Sequence, residues 1–264
     1  MEDTATVPAV SVQQLCKSYS QDGYSQQVLH GVNVEIKEGE IVSLLGQSGC
    51  GKSTLLSIIG GFEQGDSGVV RIGGQLVTKP GRHCVMLFQS YGLLPWRSVR
   101  SNVELALHGM SLTKQEISDR AAHYISLVGL QDRMTAFPAQ LSGGMQQRTA
   151  LARALVMQPK LLLMDEPFAA LDTFTKYALQ DELLRIQQQE KVTIILVTHD
   201  IDEAITLSHR VLIMQATPGT ITATIPIVAP KPFDRGDADF QHYRKRILSL
   251  FRLSGTKQVE EFVI

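Results

Sequence analysis

The chain has 264 residues, 44% of them apolar and 19% charged. That is enough for one well-buried core with a small accessory lobe, and too apolar for wholesale disorder. Lysine and arginine number 25 against 26 aspartates and glutamates, a formal net charge of -1, which removes the electrostatic case for a nucleic-acid binder. No apolar run approaches the roughly 20 residues of a bilayer crossing. The acidic start Met1-Glu2-Asp3-Thr4 leads into no signal-like segment. The expectation is a protein kept in the cytoplasm, free to dock onto a separate integral protein. Cys16, Cys50 and Cys84 are far apart, with no CxxC and no histidine cluster beside them, so neither a disulfide scaffold nor a zinc site is expected.

In chain order, Val10 to Leu15 and the alternating Val32-Asn33-Val34-Glu35-Ile36 read as half-buried strands. A turn at Lys37 to Glu40 leads to Ile41-Val42-Ser43-Leu44-Leu45, apolar on both faces as in the middle of a helix-covered parallel sheet. A glycine-rich loop follows, then a helix from Ser53 to Gly60. Val69 to Ile72 and Val85 to Phe88 are further strands. From Val99 to about Leu130 the pattern turns helical, with Ile117, Ala121, Ile125 and Val128 on one face of a helix over Glu116 to Val128. Met145 to Met157 is another helix, closed by Gln158-Pro159. Strands then alternate with helices: Leu161 to Met164, helix Thr175 to Gln189, strand Val192 to Val197, helix Asp202 to Leu207, and strand Val211 to Met214. A turn at Thr217-Pro218-Gly219 leads into Thr220 to Ile225, and a final helix spans Phe240 to Phe251. This alternation around a glycine loop predicts a layered α/β domain.

Gly46-Gln47-Ser48-Gly49-Cys50-Gly51-Lys52-Ser53-Thr54 fits GxxxxGK[ST] between a buried strand and a helix. Glycines let several backbone N–H groups converge on one anion, and the helix start adds unpaired amides and a positive dipole end. Lys52 is expected to reach the β- and γ-phosphates and Ser53 to coordinate Mg²⁺. Cys50 reads as a small loop residue rather than a redox sensor. In Leu161 to Pro167 an apolar strand delivers Asp165 and Glu166 at its C-terminal end, where α/β sheets bind ligands. Asp165 would hold Mg²⁺, and Glu166 would polarise the attacking water. His199, at the end of the neighbouring strand, would contact the γ-phosphate; alone it would be an ordinary histidine as readily as a functional one.

With Leu141-Ser142-Gly143-Gly144-Met145-Gln146-Gln147-Arg148 lying upstream of Asp165 and Glu166, the chain resembles the ATP-binding-cassette family over about residues 10–225. The resemblance implies a P-loop fold. It has a mostly parallel RecA-like core sheet, an antiparallel N-terminal β subdomain, and a helical signature subdomain at about residues 95–158. The cassette would span residues 10–230 and a short C-terminal extension residues 231–264. The resemblance further implies that Tyr19 stacks on adenine, with Tyr24 the alternative. Gln89 would be a sensor that also ligates Mg²⁺, and Ala170-Leu171-Asp172 would cross a dimer. Two cassettes would face each other, so that Ser142, Gly143 and Gly144 of one cap the ATP γ-phosphate held by the other.

Phe88 to Arg97, with Leu93, Leu94 and the single tryptophan Trp96, resembles the nitrate/sulfonate/taurine importer branch, as do Asp165 to Asp172 and Thr198 to Ala204. That branch implies an integral permease dimer received near Gln89 to Arg97, an external solute-binding protein, and a place at the cytoplasmic face of the membrane. A soluble cofactor-assembly ATPase and a non-transport regulatory cassette are the alternatives. Gln47 and Ala169 depart from the branch pattern without threatening nucleotide binding. Ser20 to Ser25 looks like an insertion that puts the adenine contact in doubt. No principal catalytic residue is missing.

Overall fold

The computed structural model describes residues 7–21, 24–88, 90–216, 218–231 and 233–254. Ten strands and seven α-helices are seen among them, arranged around two sheets. β1 (Val10–Gln21), β2 (Tyr24–Ile36), β4 (Ser67–Ile72) and the two-residue β5 (Gln75–Leu76) form an antiparallel sheet in the order β2-β1-β4-β5. The second sheet has the order β10-β9-β3-β8-β7-β6. It comprises β3 (Ile41–Gly46), β6 (Cys84–Leu87), β7 (Leu161–Asp165), β8 (Thr193–Thr198), β9 (Arg210–Gln215) and β10 (Thr220–Pro226). Its pairings are parallel except β10 with β9.

β3 and β8 are buried along their whole length, the mark of strands covered on both faces. Side-chain alternation divides what covers them. Val42, Leu44, Ile195, Val197, Leu161 and Leu163 point toward α1 (Lys52–Ile59) and the antiparallel sheet, in one apolar cluster with Val12, Leu15, Leu55 and Leu56. Leu162, Met164, Ile194 and Leu196 join the opposite cluster. That cluster holds α2 (Val99–Leu105), α3 (Lys114–Leu127), α4 (Gly143–Leu155) and α5 (Thr173–Glu190). Leu45, Val211 and Ile213 form a third cluster with α6 (Ile201–Leu207) and α7 (Ala238–Ser254), through Ala204, Ile205, Phe240 and Ile247.

This is the expected α/β architecture, with differences in local extent of which two bear on the site. The expected insertion at Ser20 to Ser25 lies at the end of a hairpin in which Tyr19 pairs with Gln26, Ser20 with Ser25 and Gln21 with Tyr24. The first hairpin is simply long, and its polar outer end carries no alternation that a sequence pattern could detect. α4 begins at Gly143 rather than Met145, because Ser142 is its N-cap and accepts from the Met145 amide at 3.3 Å. Among the described residues no helix is long and apolar enough to cross a membrane.

A candidate nucleotide site at the strand ends

β3 ends at Gly46, and the loop that follows leads directly into α1. Gly51 sits at φ +94°, and a Cβ there would stand 2.8 Å from Leu29 Cδ2 and 3.1 Å from the Val28 carbonyl oxygen. At Gly46 a Cβ would meet the Met214 carbonyl oxygen at 2.5 Å and Cys50 Sγ at 2.7 Å. The loop is thus wedged between β2 and β9, where only glycine allows the curl. Gly51 is also the N-cap of α1 and offers no side chain to its first amides, which leaves them for an anion. Lys52 is nearly buried, and its Nζ donates to the carbonyls of Gly46 at 2.8 Å and Gln47 at 2.9 Å. Its charge is already held inside the cradle.

Burial pushes the Cys50 thiol up despite the nearby Lys52 ammonium, and burial pushes Cys84 up to about 12. Neither has the low-pKa setting of a redox sensor.

A cleft of about 420 Å³ opens beside the loop, lined by Tyr19, Gln26, Val28, Ser48, Gly49, Gly51, Lys52, Ser53, Thr54 and Glu166. Tyr19 enters it from β1, with its hydroxyl donating to Glu63 Oε2 at 2.7 Å and Lys17 Nζ 5.2 Å from its ring centre. Tyr24 is at the far end of the hairpin, 84% exposed, and does not line the cleft. Of the two tyrosines, the structure brings Tyr19 to the phosphate loop.

β7 and β8 are parallel neighbours with Asp165 opposite Val197, so their next residues emerge together. The Ser53 side chain acts on the Asp165 carboxyl from α1. Burial and then the Glu166 charge raise that carboxyl above the usual range, against the pull of Ser53 and Lys52. Glu166 takes φ +46°, with its amide bonded to the Val197 carbonyl at 3.0 Å. This left-handed step turns it away from Asp165 and toward His199, whose Nδ1 lies 3.2 Å from Glu166 Oε1. A hydroxyl and a carboxylate on neighbouring elements, Ser53 and Asp165, suit Mg²⁺, which takes one or two protein ligands and completes its shell with water and phosphate oxygens. Gln89, the other predicted ligand, lies outside the described residues.

Ser142, Gly143, Gly144 and Asp172 line no part of this cleft. They form a second locus. Ser142 caps α4 and Asp172 caps α5, accepting from the Thr175 amide at 3.1 Å. The two helix starts touch: Gly143 faces Leu171 Cδ2, and a Cβ on Gly144 would lie 2.4 Å from Thr175 Cγ2.

The loop after residue 89 is tied down by residues that carried no motif. Asn102 is fully buried and accepts from the Leu94 amide at 2.8 Å. Its Nδ2 donates to the carbonyls of Leu94, Arg97 and Ser98. Arg153 from α4 binds the carbonyls of Tyr91 and Gly92 at 2.9 and 2.6 Å. Leu93 packs into the core cluster, whereas Trp96 is 70% exposed on the anchored loop. Leu93 is thus half-buried against the helical subdomain, and Trp96 faces outward. Glu63, which accepts from the Tyr19 hydroxyl, likewise carries no motif. A buried asparagine inside a helical pattern was the one signal available.

Comparison with known proteins agrees with this geometry. The family model described as ABC transporter matches residues 29–169. An uncharacterized ABC transporter ATP-binding protein of Methanocaldococcus jannaschii, MJ0412, is 44% identical over 243 residues, spanning 92% of this chain and 91% of its own length. The aliphatic sulfonates import ATP-binding protein SsuB of Bacillus cereus is 42% identical over 249 residues, 94% of this chain and 98% of its own. Among solved structures, the dimeric post-hydrolysis ATP-binding cassette MJ0796 bound to ADP and Pi is similar with a TM-score of 0.74 and 31% identity. That match covers 84% of this chain and 100% of the other. A phosphate cradle, a carboxylate pair at adjacent strand ends and these likenesses place the chain in the ABC transporter family, as a Mg²⁺-dependent subunit that binds and hydrolyses ATP.

Proposed function

We propose that this subunit energises import of a small anionic solute, such as a sulfonate, nitrate, taurine or bicarbonate, through a separate permease at the cytoplasmic face of the membrane. Likeness to a sulfonate import protein over nearly the full length of both chains supports the solute class. The observation that carries the mechanism is the contact of Glu166 with His199 beside a glycine cradle that holds Lys52.

In the proposed reaction Tyr19 offers its ring to adenine, while the amides of Ser48 to Thr54, with Lys52, hold the phosphates. Ser53, Asp165 and Gln89 would hold Mg²⁺, which when bound neutralises charge on the phosphate oxygens. Glu166 orients the water for attack on the γ-phosphorus and accepts its proton, and His199 contacts the terminal phosphate and steadies Glu166. Ser142, Gly143 and Gly144 of a second cassette would cover that phosphate, with Asp172 in the segment that crosses between copies. Closure then excludes bulk water and strengthens each electrostatic contact.

Exposed Trp96, on a loop clamped by Asn102 and Arg153, supports this face as the permease contact. An external solute-binding protein would act through that permease. Co-purification tests the reading: the tagged chain is expected to bring down an integral membrane protein, and Trp96→Ala to release it while ATP binding persists. Exclusively soluble companions would sink it in favour of a soluble assembly ATPase.

A further inference from the structure

His199 is held weakly by packing, with a side chain 64% exposed, yet the backbone on both sides of it is fixed. Thr198 Oγ1 donates to Glu203 Oε2 at 2.6 Å and accepts from the Asp200 amide at 3.0 Å. Asp200 Oδ1 accepts from the amides of Asp202 and Glu203, capping α6. Both carboxylates end on a single cation from another element. Lys176 Nζ, in the first turn of α5, is 2.5 Å from Asp200 Oδ2 and 2.6 Å from Glu203 Oε1. Glu203 is almost wholly buried and Lys176 largely so, so water can neither replace nor screen the contact effectively. Burial works to raise the Asp200 carboxyl, but the bond from Lys176 and the α6 amides outweigh it and hold it below the usual range.

At its other end Lys176 belongs to the second locus. Its amide donates to the Asp172 carbonyl at 2.9 Å, and its neighbour Thr175 fills the space that Gly144 leaves open. A continuous set of contacts therefore runs from the start of α4, through the first turn of α5 and the Lys176 ammonium, to the residues on either side of His199.

We propose that Lys176 is a positioning residue for ATP hydrolysis: by clamping Asp200 and Glu203 to the first turn of α5, it holds His199 against Glu166 and makes that pair follow the segment at Asp172. It lies outside the cleft beside the glycine loop. The proposal rests on the reading of Glu166 and His199 as the hydrolytic pair.

The test measures steady-state ATPase and ATP binding of the full chain as Lys176→Met, Lys176→Arg, the double variant Lys176→Met/Glu203→Gln, and His199→Ala as reference. Lys176→Met is expected to lower kcat about tenfold or more with KM for ATP changed less than about twofold, because the cradle and Tyr19 are untouched. Lys176→Arg restores most of the rate, since a guanidinium also reaches both carboxylates. If Lys176→Met fails to fold because it strands Glu203, the double variant removes both charges and shows the same kcat loss. A folded double variant with unchanged kcat, kcat and KM altered in proportion, or no rescue by arginine would each overturn the proposal. If His199→Ala itself turns over normally, the reading of the site fails; if it loses turnover while the double variant keeps it, the role of Lys176 alone falls.

Discussion

Among the described site residues, Glu166 is the one non-glycine placed by an unfavourable backbone angle, at φ +46°. A non-glycine residue held there costs about 1–3 kcal/mol, which the surrounding structure must supply. Glu166→Gln keeps the shape and the contact with His199 but removes the proton acceptor. It is expected to bind ATP with near-native affinity and to lose about 10²–10⁴-fold in turnover. Phosphate release beside a binding isotherm checks this, and normal hydrolysis would remove Glu166 from its role. Asp165 gives a pH prediction. Its carboxyl is raised by burial and by Glu166, so a proton competes with Mg²⁺ at a higher pH than at an ordinary aspartate. The Mg²⁺ concentration for half-maximal ATPase is expected to climb on acidification before the usual aspartate range is reached. A flat Mg²⁺ requirement down to that range would contradict it. At this scale the sequence displayed what sits in short strings: the glycine loop, Asp165 with Glu166, and Ser142 to Gly144. It hid Glu63 and Lys176, because their partners lie elsewhere in the chain. Lys176 meets Asp200 from 24 residues away and Tyr19 meets Glu63 from 44.

Elements were legible where burial imposes a period and illegible where it does not. β3 and β8 announce themselves as apolar runs, and the helix over Lys114–Leu127 by its spacing, although its Thr113–Glu116 capping box starts it two residues before the expected Glu116. The outer part of the first hairpin and the short β5 are exposed, so no alternation marks them. The last helix was visible, but not how it is rooted. Phe240 is 1% exposed, packs edge-on to Phe233 at 5.5 Å, and shares a cluster with Leu45 of β3. Phe240→Ala is expected to cost about 3–5 kcal/mol and to lower Tm by on the order of 10 °C. Thermal unfolding followed by circular dichroism measures it. An unchanged Tm would mean that α7 contributes nothing to the core. Lys231 Nζ, pushed down to about 7 by burial, still bonds the carbonyls of Ile205 and Thr206 at 2.6 and 2.8 Å, which ties the same segment to the C-terminal end of α6.

Taken as a whole, the molecule carries two separate loci: the cleft with Tyr19, Lys52 and Glu166, and the helix starts with Ser142, Gly144 and Asp172. If one copy's second locus covers the other's nucleotide, ATP should join copies that hydrolysis parts. Glu166→Gln with ATP and Mg²⁺ is expected to run at twice the monomer mass by light scattering, and to return to the monomer with ADP. A monomer under both conditions would remove the paired arrangement. The pairing was readable from the sequence only through family resemblance, since no residue pattern within one chain states what a second chain will touch.

The contact of Gly144 with Thr175 has a consequence for mixed assemblies. In the proposed pairing, one helix start would serve the neighbour's nucleotide and, through the adjoining turn, would lean on the hydrolytic pair of its own copy. A lesion at that joint would therefore be felt in two directions at once. Complexes built with a single damaged copy should fall well below half the native rate rather than settle at it.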